Sequence, residues 1–139
     1  MKLHLYYVGK ARDAHANALA EEYVKRIRRY AHLEMREVKP ERSEWWVKHA
    51  SAWKVLLDPA GKSMDSKRFS GLVSKAELEA RDLVFVIGGA DGLPAPWRDH
   101  ADVLLSLSAM TFPHELARVV LAEQIYRAFA ILRGHPYPR

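Results

Sequence analysis

Apolar positions recur along this chain with two alternating periods. Lys2–Val8 is apolar and β-rich and stops at Gly9; beyond it Leu19, Tyr23, Ile27 and Tyr30 fall at helical spacing and predict a helix over Asp13–Tyr30. A strand over Leu33–Val38 ends before Pro40, Ser43 is a candidate cap for a short helix over Glu44–Ala50, and Trp53–Leu57 supplies a third strand. Asp58-Pro59-Ala60-Gly61 has the composition of a turn, and Phe69, Leu72, Val73 and Ala76 share one helical face behind Ser63 or Asp65 as cap. Leu83–Ile87 is an unbroken apolar run between charged residues and Gly88-Gly89, as expected of a strand covered on both faces. Pro94 and Pro96 suit the first turn of a short helix ending near Ala101, Asp102–Leu105 forms another strand, and Pro113 opens a long helix to about Arg133. Such alternation predicts an α/β fold, a parallel-type sheet flanked by helices, in one domain over residues 1–139. Ligands of such sheets sit outside the carboxyl ends of the strands.

Two loops occupy that position, Ile87–Gly92 and Ser106–His114. Glycines after a buried strand allow close backbone approach to a flat ligand, although a tight turn without a ligand explains Gly88, Gly89 and Gly92 equally well. The second loop alternates small hydroxyl and apolar residues, a composition suited to holding an adenine through backbone hydrogen bonds and apolar side chains. The helix behind it is apolar on most sides, at Leu116, Val119, Val120, Leu121, Ile125, Phe129 and Leu132, which implies deep burial or a subunit interface. Arg118 shares the face of Ile125 and Phe129, so it should meet a carboxylate, a phosphate or backbone carbonyls, as a substrate contact or a structural ion pair. Glu123 and Arg127, four residues apart, read as a pair on the helix surface.

Composition narrows the chemistry. A chain of 139 residues with 49% hydrophobic and 28% charged residues can bury its own core. With no cysteine, disulfides, thiolate nucleophiles and Cys-type zinc sites are excluded. No apolar run approaches the ~20 residues of a membrane span, and Met1–Val8 is too short for a signal peptide, so a cytoplasmic location without a membrane partner is expected. A net charge of +5 makes an anionic macromolecular partner plausible without proving one.

Four familiar motifs fail on spacing. Gly61-Lys62-Ser63 lacks the earlier P-loop glycine, because position 56 is Leu56; the glycines of Gly88–Gly92 miss the dinucleotide interval; His114-Glu115 has Arg118 where a zinc helix needs its second histidine; and no serine sits in a G-x-S-x-G elbow. The scattered histidines give no ground for a metal.

Phe85–Leu93, Ser106–His114, Ala122–Ala128 and the tail His135-Pro136-Tyr137, with Lys2–Gly9 and Leu57–Lys62 nearer the N-terminus, together resemble the ribosomal RNA large subunit methyltransferase H family. Ala90-Asp91 stands where the family commonly has Pro-Glu, and the stretch between Glu37 and Trp53 is short. The resemblance implies a SPOUT-class enzyme that methylates N3 of a pseudouridine in 23S rRNA with S-adenosylmethionine and no metal. It further implies a C-terminal trefoil knot and a homodimer with the last helix in its interface, each target site being completed by both subunits. Carried over by position, cofactor contacts would fall on Leu57, Gly89, Ser108, Ala109, Met110, Thr111, Phe112 and Pro113. His135 and Tyr137 become candidates for shaping the target pocket, beside Arg118, with a packed tail as the plainer alternative; the proton acceptor is not identifiable.

Lys25, Arg26, Arg28 and Arg29 could face RNA or simply be a solvated helix face, and Trp45, Trp46 and Trp53 could stack on bases, although aromatics in a short helix usually belong to a core. Two other readings keep the loops: a SPOUT enzyme acting on tRNA, and a non-catalytic ribosome- or RNA-binding domain.

Overall fold

The computed structural model describes residues 1–41 and 43–137. Five strands, β1 (Lys2–Val8), β2 (His32–Val38), β3 (Trp53–Ser63), β4 (Leu83–Ile87) and β5 (Val103–Ser106), form one sheet in the order β2-β1-β4-β3-β5 with every pairing parallel. All five residues of β4 are buried, as its unbroken apolar run predicts. The strand period of two divides the core. Leu3, Leu5, Val55, Leu83, Phe85 and Leu105 point to one face, under α1 (Ala14–Ile27), α3 (Ser66–Leu78) and α4 (His114–Leu132). Tyr6, Leu56, Val84 and Val86 point to the other, where Trp45 of α2 (Trp45–Lys48) and Trp97 of the 3₁₀ helix Ala95–His100 cover them.

The caps are partly as expected. The Asp13 carboxylate accepts from the His15 and Ala16 amides and opens α1, and Asp65 accepts from Arg68 and opens α3. Ser43 does not cap α2: Glu44 occupies that position without a side-chain bond, and the helix is one turn long. Its place is set instead by burial of Trp45 against Trp97, ring centroids 5.8 Å apart.

Asp58–Gly61 is not a turn between elements. Leu57 and Lys62 both pair with Leu105, so β3 expels the intervening residues as a bulge and resumes in the same direction beside β5. Turn-type composition serves here to kink a strand. Gly61 is required because a Cβ there would lie 2.6 Å from the backbone carbonyl of Leu104.

The apolar last helix is buried largely within its own chain. Leu121, Ala122, Ile125 and Phe129 are fully enclosed against α1, α3 and the sheet, while Leu116 and Ile131 stay exposed. At ~25 cal/mol per Å² of apolar area, such a side chain contributes roughly 2 kcal/mol against exposure. Among the described residues, no helix is long and apolar enough to cross a membrane.

Candidate functional site

The carboxyl ends of β4 and β5 and the bulge of β3 open into one cleft of about 240 Å³. Both glycine and Ser106–His114 loops line it, joined by the β3 bulge through Leu57, Asp58 and Pro59, by Arg98 of the 3₁₀ helix and by Ala117 of α4. Of the positions expected to hold a cofactor, Leu57, Gly89, Ser108, Met110, Thr111 and Phe112 face this space; Ala109 and Pro113 belong to the same loop without lining it.

Each wall has a local cause. After β4 the chain folds into a tight turn in which the Gly92 amide donates to the Gly89 carbonyl at 2.9 Å and Gly92 takes φ +78°. A Cβ on Gly88 would stand 2.5 Å from the Leu93 amide nitrogen, so the turn closes only around a glycine. The opposite loop is braced from within: Ser106 Oγ donates to the Ser108 carbonyl, and Ser108 Oγ accepts from the Met110 amide, both at 2.9 Å. The Glu115 carboxylate accepts from the amides of Arg12 and Asp13, which ties the start of α4 to the loop after β1. These amides hold its carboxyl below the usual carboxylate range, that of Asp13 contributing most.

The cleft's charged groups were not legible as a motif. Asp58, only 8% exposed, accepts from the Ala60 amide through Oδ1 and from Arg98 Nε through Oδ2. The bond from Arg98 is the main reason that its carboxyl titrates below the ordinary value. Forty positions separate the two residues, and only the β3 bulge and the 3₁₀ helix bring them together. Apolar walls, exposed backbone and one ion pair suit an elongated ligand with flat and charged parts.

The three catalytic candidates lie elsewhere. Arg118 is 1% exposed and hydrogen-bonds no carboxylate or carbonyl among the described residues. Its guanidinium lies 4.1 Å from the centroid of Tyr7 with Met35 Sδ at 4.0 Å, and Nη2 is without a hydrogen-bond partner among the described residues. The expected pairing is thus replaced by a cation–π contact, because β1 and β2 present an aromatic ring and a thioether at this point. His135 is exposed beyond α4, its amide donating to the Ala130 carbonyl. The Tyr137 hydroxyl donates to Glu123, which also holds Arg127, and its ring packs 4.7 Å from Tyr126. Burial first, and then the Glu123 bond, push the Tyr137 hydroxyl well above its ordinary pKa, so it is a donor rather than a base near neutrality.

The aromatic and basic candidates divide similarly. Trp45 is core, and Trp46 stacks on His100 at 4.2 Å. Trp53 is half-buried beneath Lys75 and Arg81. Lys25, Arg28 and Arg29 are exposed, whereas Arg26 pairs with Glu22 and lies over the rings of Tyr23 and Tyr126. The basic end of α1 therefore adjoins the tail rather than the cleft. Among the described residues, no group of three or more His, Asp or Glu could hold a metal ion.

Comparison with known proteins gives the chain a class. Residues 1–138 match the family described as "Predicted SPOUT methyltransferase", and the chain belongs to that family. Among its relatives the chain is 62% identical over 139 residues to Ribosomal RNA large subunit methyltransferase H of Solibacter usitatus, covering all of both proteins. It is 40% identical to the protein of that name from Chromobacterium violaceum, covering all of this chain and 99% of that one. The fold is shared with the SpoU methyltransferase AviRb from Streptomyces viridochromogenes at a TM-score of 0.60 and 15% identity, over 95% of this chain and 60% of that one. A second structure of AviRb, in complex with AdoMet, aligns at a TM-score of 0.55 and 14% identity, over 94% and 61% of the two chains.

Proposed function

We propose that this protein methylates N3 of a pseudouridine in 23S rRNA of the large ribosomal subunit, using S-adenosylmethionine. The observation that carries the reading is the convergence of the β3 bulge, the glycine turn and the Ser106–His114 loop on one cleft. The names of relatives up to 62% identical support the substrate. The cleft's residues fit the cofactor: a glycine turn that closes only without a Cβ at Gly88 and so leaves backbone lining the space, apolar walls, and one ion pair.

In this reading Leu57, Gly89 and Ser108–Pro113 hold the cofactor, with loop amides and carbonyls reading the adenine edge. When bound, the cofactor supplies an electrophilic methyl group on a sulfonium. The chain must orient N3 in line with that methyl group, exclude water, and provide a path for the N3 proton.

His135 lies far from the cleft of its own protomer, which favours a tail that serves a partner's cleft. α4 spans His114–Leu132, about 27 Å at 1.5 Å per residue, so its first turn at the cleft and His135 beyond its last turn lie at opposite ends of one rod. A homodimer that sets α4 against its twin, the exposed Leu116 and Ile131 included, would carry each tail to the other cleft. The basic end of α1 beside the tail would then guide RNA to it. In this reading the segment from Ser106 into α4 would be the knotted one, as the family resemblance implies, and a ribosomal substrate implies a cytoplasmic location.

The test is incubation with labelled S-adenosylmethionine and assembled ribosomes, free large subunits or free rRNA, with and without pseudouridine at the target. Label retained at N3 of pseudouridine in 23S rRNA is expected; no transfer to any substrate contradicts the proposal.

A further inference from the structure

Asp58 and Arg98 supply the only carboxylate and the only guanidinium that line the cleft among the described residues. The side chain of Arg98, 42% exposed, makes its one hydrogen bond there through Nε, to Asp58. Its Nη groups, which form the fork that matches a carboxylate, remain available. Asp58 is held from its other side by the Ala60 amide, so a nearly buried and fixed counter-charge sets the direction of an otherwise flexible arginine. A lone surface arginine would lose its rotamer freedom on binding an anion; this one has lost part of it beforehand. The remaining lining is apolar, backbone or hydroxyl, apart from His114.

Resting on the proposed cofactor reading, we infer that Arg98 recognises the α-carboxylate at the methionine end of the cofactor, and that Asp58 is the residue that positions Arg98. The pair thereby distinguishes cofactors that keep the amino-acid end from nucleosides that lack it. Asp58 has spare lone pairs beyond its two bonds and can accept from the neighbouring ammonium group.

The test compares S-adenosylhomocysteine, which carries the amino-acid end, with 5′-methylthioadenosine, which lacks it, by titration calorimetry on the full chain. R98M lowers affinity for S-adenosylhomocysteine by about ten- to a hundredfold, the worth of a charged hydrogen-bond pair, and leaves 5′-methylthioadenosine binding unchanged. R98K keeps the charge without the fork and falls between wild type and R98M. D58N weakens S-adenosylhomocysteine selectively and by less, because Arg98 is present but unaligned.

Equal loss of both ligands in R98M would overturn the inference, showing a structural role for the arginine. So would unchanged binding of both with a raised KM for rRNA, which would assign Arg98 to a phosphate of the substrate. Wild-type protein that binds neither ligand overturns the cofactor reading and this inference together, whereas wild-type binding with an indifferent R98M overturns this inference alone.

Discussion

The two ends of α4 are built on opposite principles. Its first turn is fixed by backbone: Pro113 leads in, Glu115 accepts amides from the loop after β1, and Ala117 presents almost no side chain to the cleft. Its last turns are fixed by side chains, through Arg127 on Glu123, Tyr137 on Glu123 and Tyr126, and Arg133 on Glu77. The first arrangement suits a pocket that grips a ligand by amides and carbonyls. The second gives a surface of paired charges with histidine and tyrosine at its edge, beside the exposed Lys25, Arg28 and Arg29 at the end of α1. If the cleft holds the cofactor and the tail meets the target, as proposed, the two tasks lie at opposite ends of one helix, and a homodimer would bring them together.

Substitutions that separate the ends sharpen the comparison. The largest effect is expected at the cleft: Gly88→Ala drives a Cβ into the backbone of the turn, and calorimetry should show cofactor affinity reduced by at least about a hundredfold, roughly 2.7 kcal/mol. Near-normal affinity would mean that the glycine turn does not shape the pocket. At the other end, His135→Ala and Tyr137→Phe should lower kcat for rRNA by roughly ten- to a hundredfold with cofactor affinity intact. A matching loss of cofactor binding would contradict the separation.

Between the ends, Arg118→Met removes a buried cation that forms no ion pair among the described residues. Urea unfolding should show stability unchanged or raised by about 1 kcal/mol. A fall of about 3 kcal/mol would reveal a partner for the guanidinium that one protomer does not supply.

The smallest effect is a control from the far face of the sheet. His49 Nε2 lies 2.7 Å from the Tyr6 hydroxyl, its ring 4.3 Å from that of His4. Burial is the first cause that lowers both imidazole pKa values from 6.5. Folding therefore favours the neutral rings: their contribution is full above pH 6.5 and is lost as pH falls from there through the folded values. A thermal melt series from pH 7.5 to 5 should show a falling Tm, with a shallower slope in His49→Asn; equal slopes would place the acid sensitivity elsewhere.

Much of this was legible in the sequence because local pattern and global fold agree. The helical spacing of apolar residues before Tyr30, the apolar run Leu83–Ile87 and the glycines after it each predict what the structure contains, although α1 buries Ala20, Val24 and Ile27 and leaves Leu19 exposed. Departures arise where tertiary packing overrides local composition. Asp58–Gly61 reads as a turn, but pairing with β5 on both sides makes it a bulge. Ser43 has the chemistry of a cap, yet Trp45 fixes the start of α2 by burial. Arg118 on an apolar face predicts a charged partner, and Tyr7 takes that place from a different strand. Asp58 and Arg98 had no sequence signal as a pair, since no spacing rule links a strand bulge to a 3₁₀ helix. The carboxylate following Leu57 was the nearest clue.

The separation of the two ends across a dimer is tested most directly by complementation. A Gly88→Ala protomer has a damaged cleft and an intact tail; a His135→Ala, Tyr137→Phe protomer has the reverse. Each homodimer alone should be nearly inactive on rRNA. Co-expressed at equal levels, the two should recover about a quarter of wild-type methyl transfer, since half of the dimers are mixed and each carries one whole site. Mixed dimers that form, as shown by differently tagged subunits, and remain as inactive as their parents would contradict a site shared between subunits.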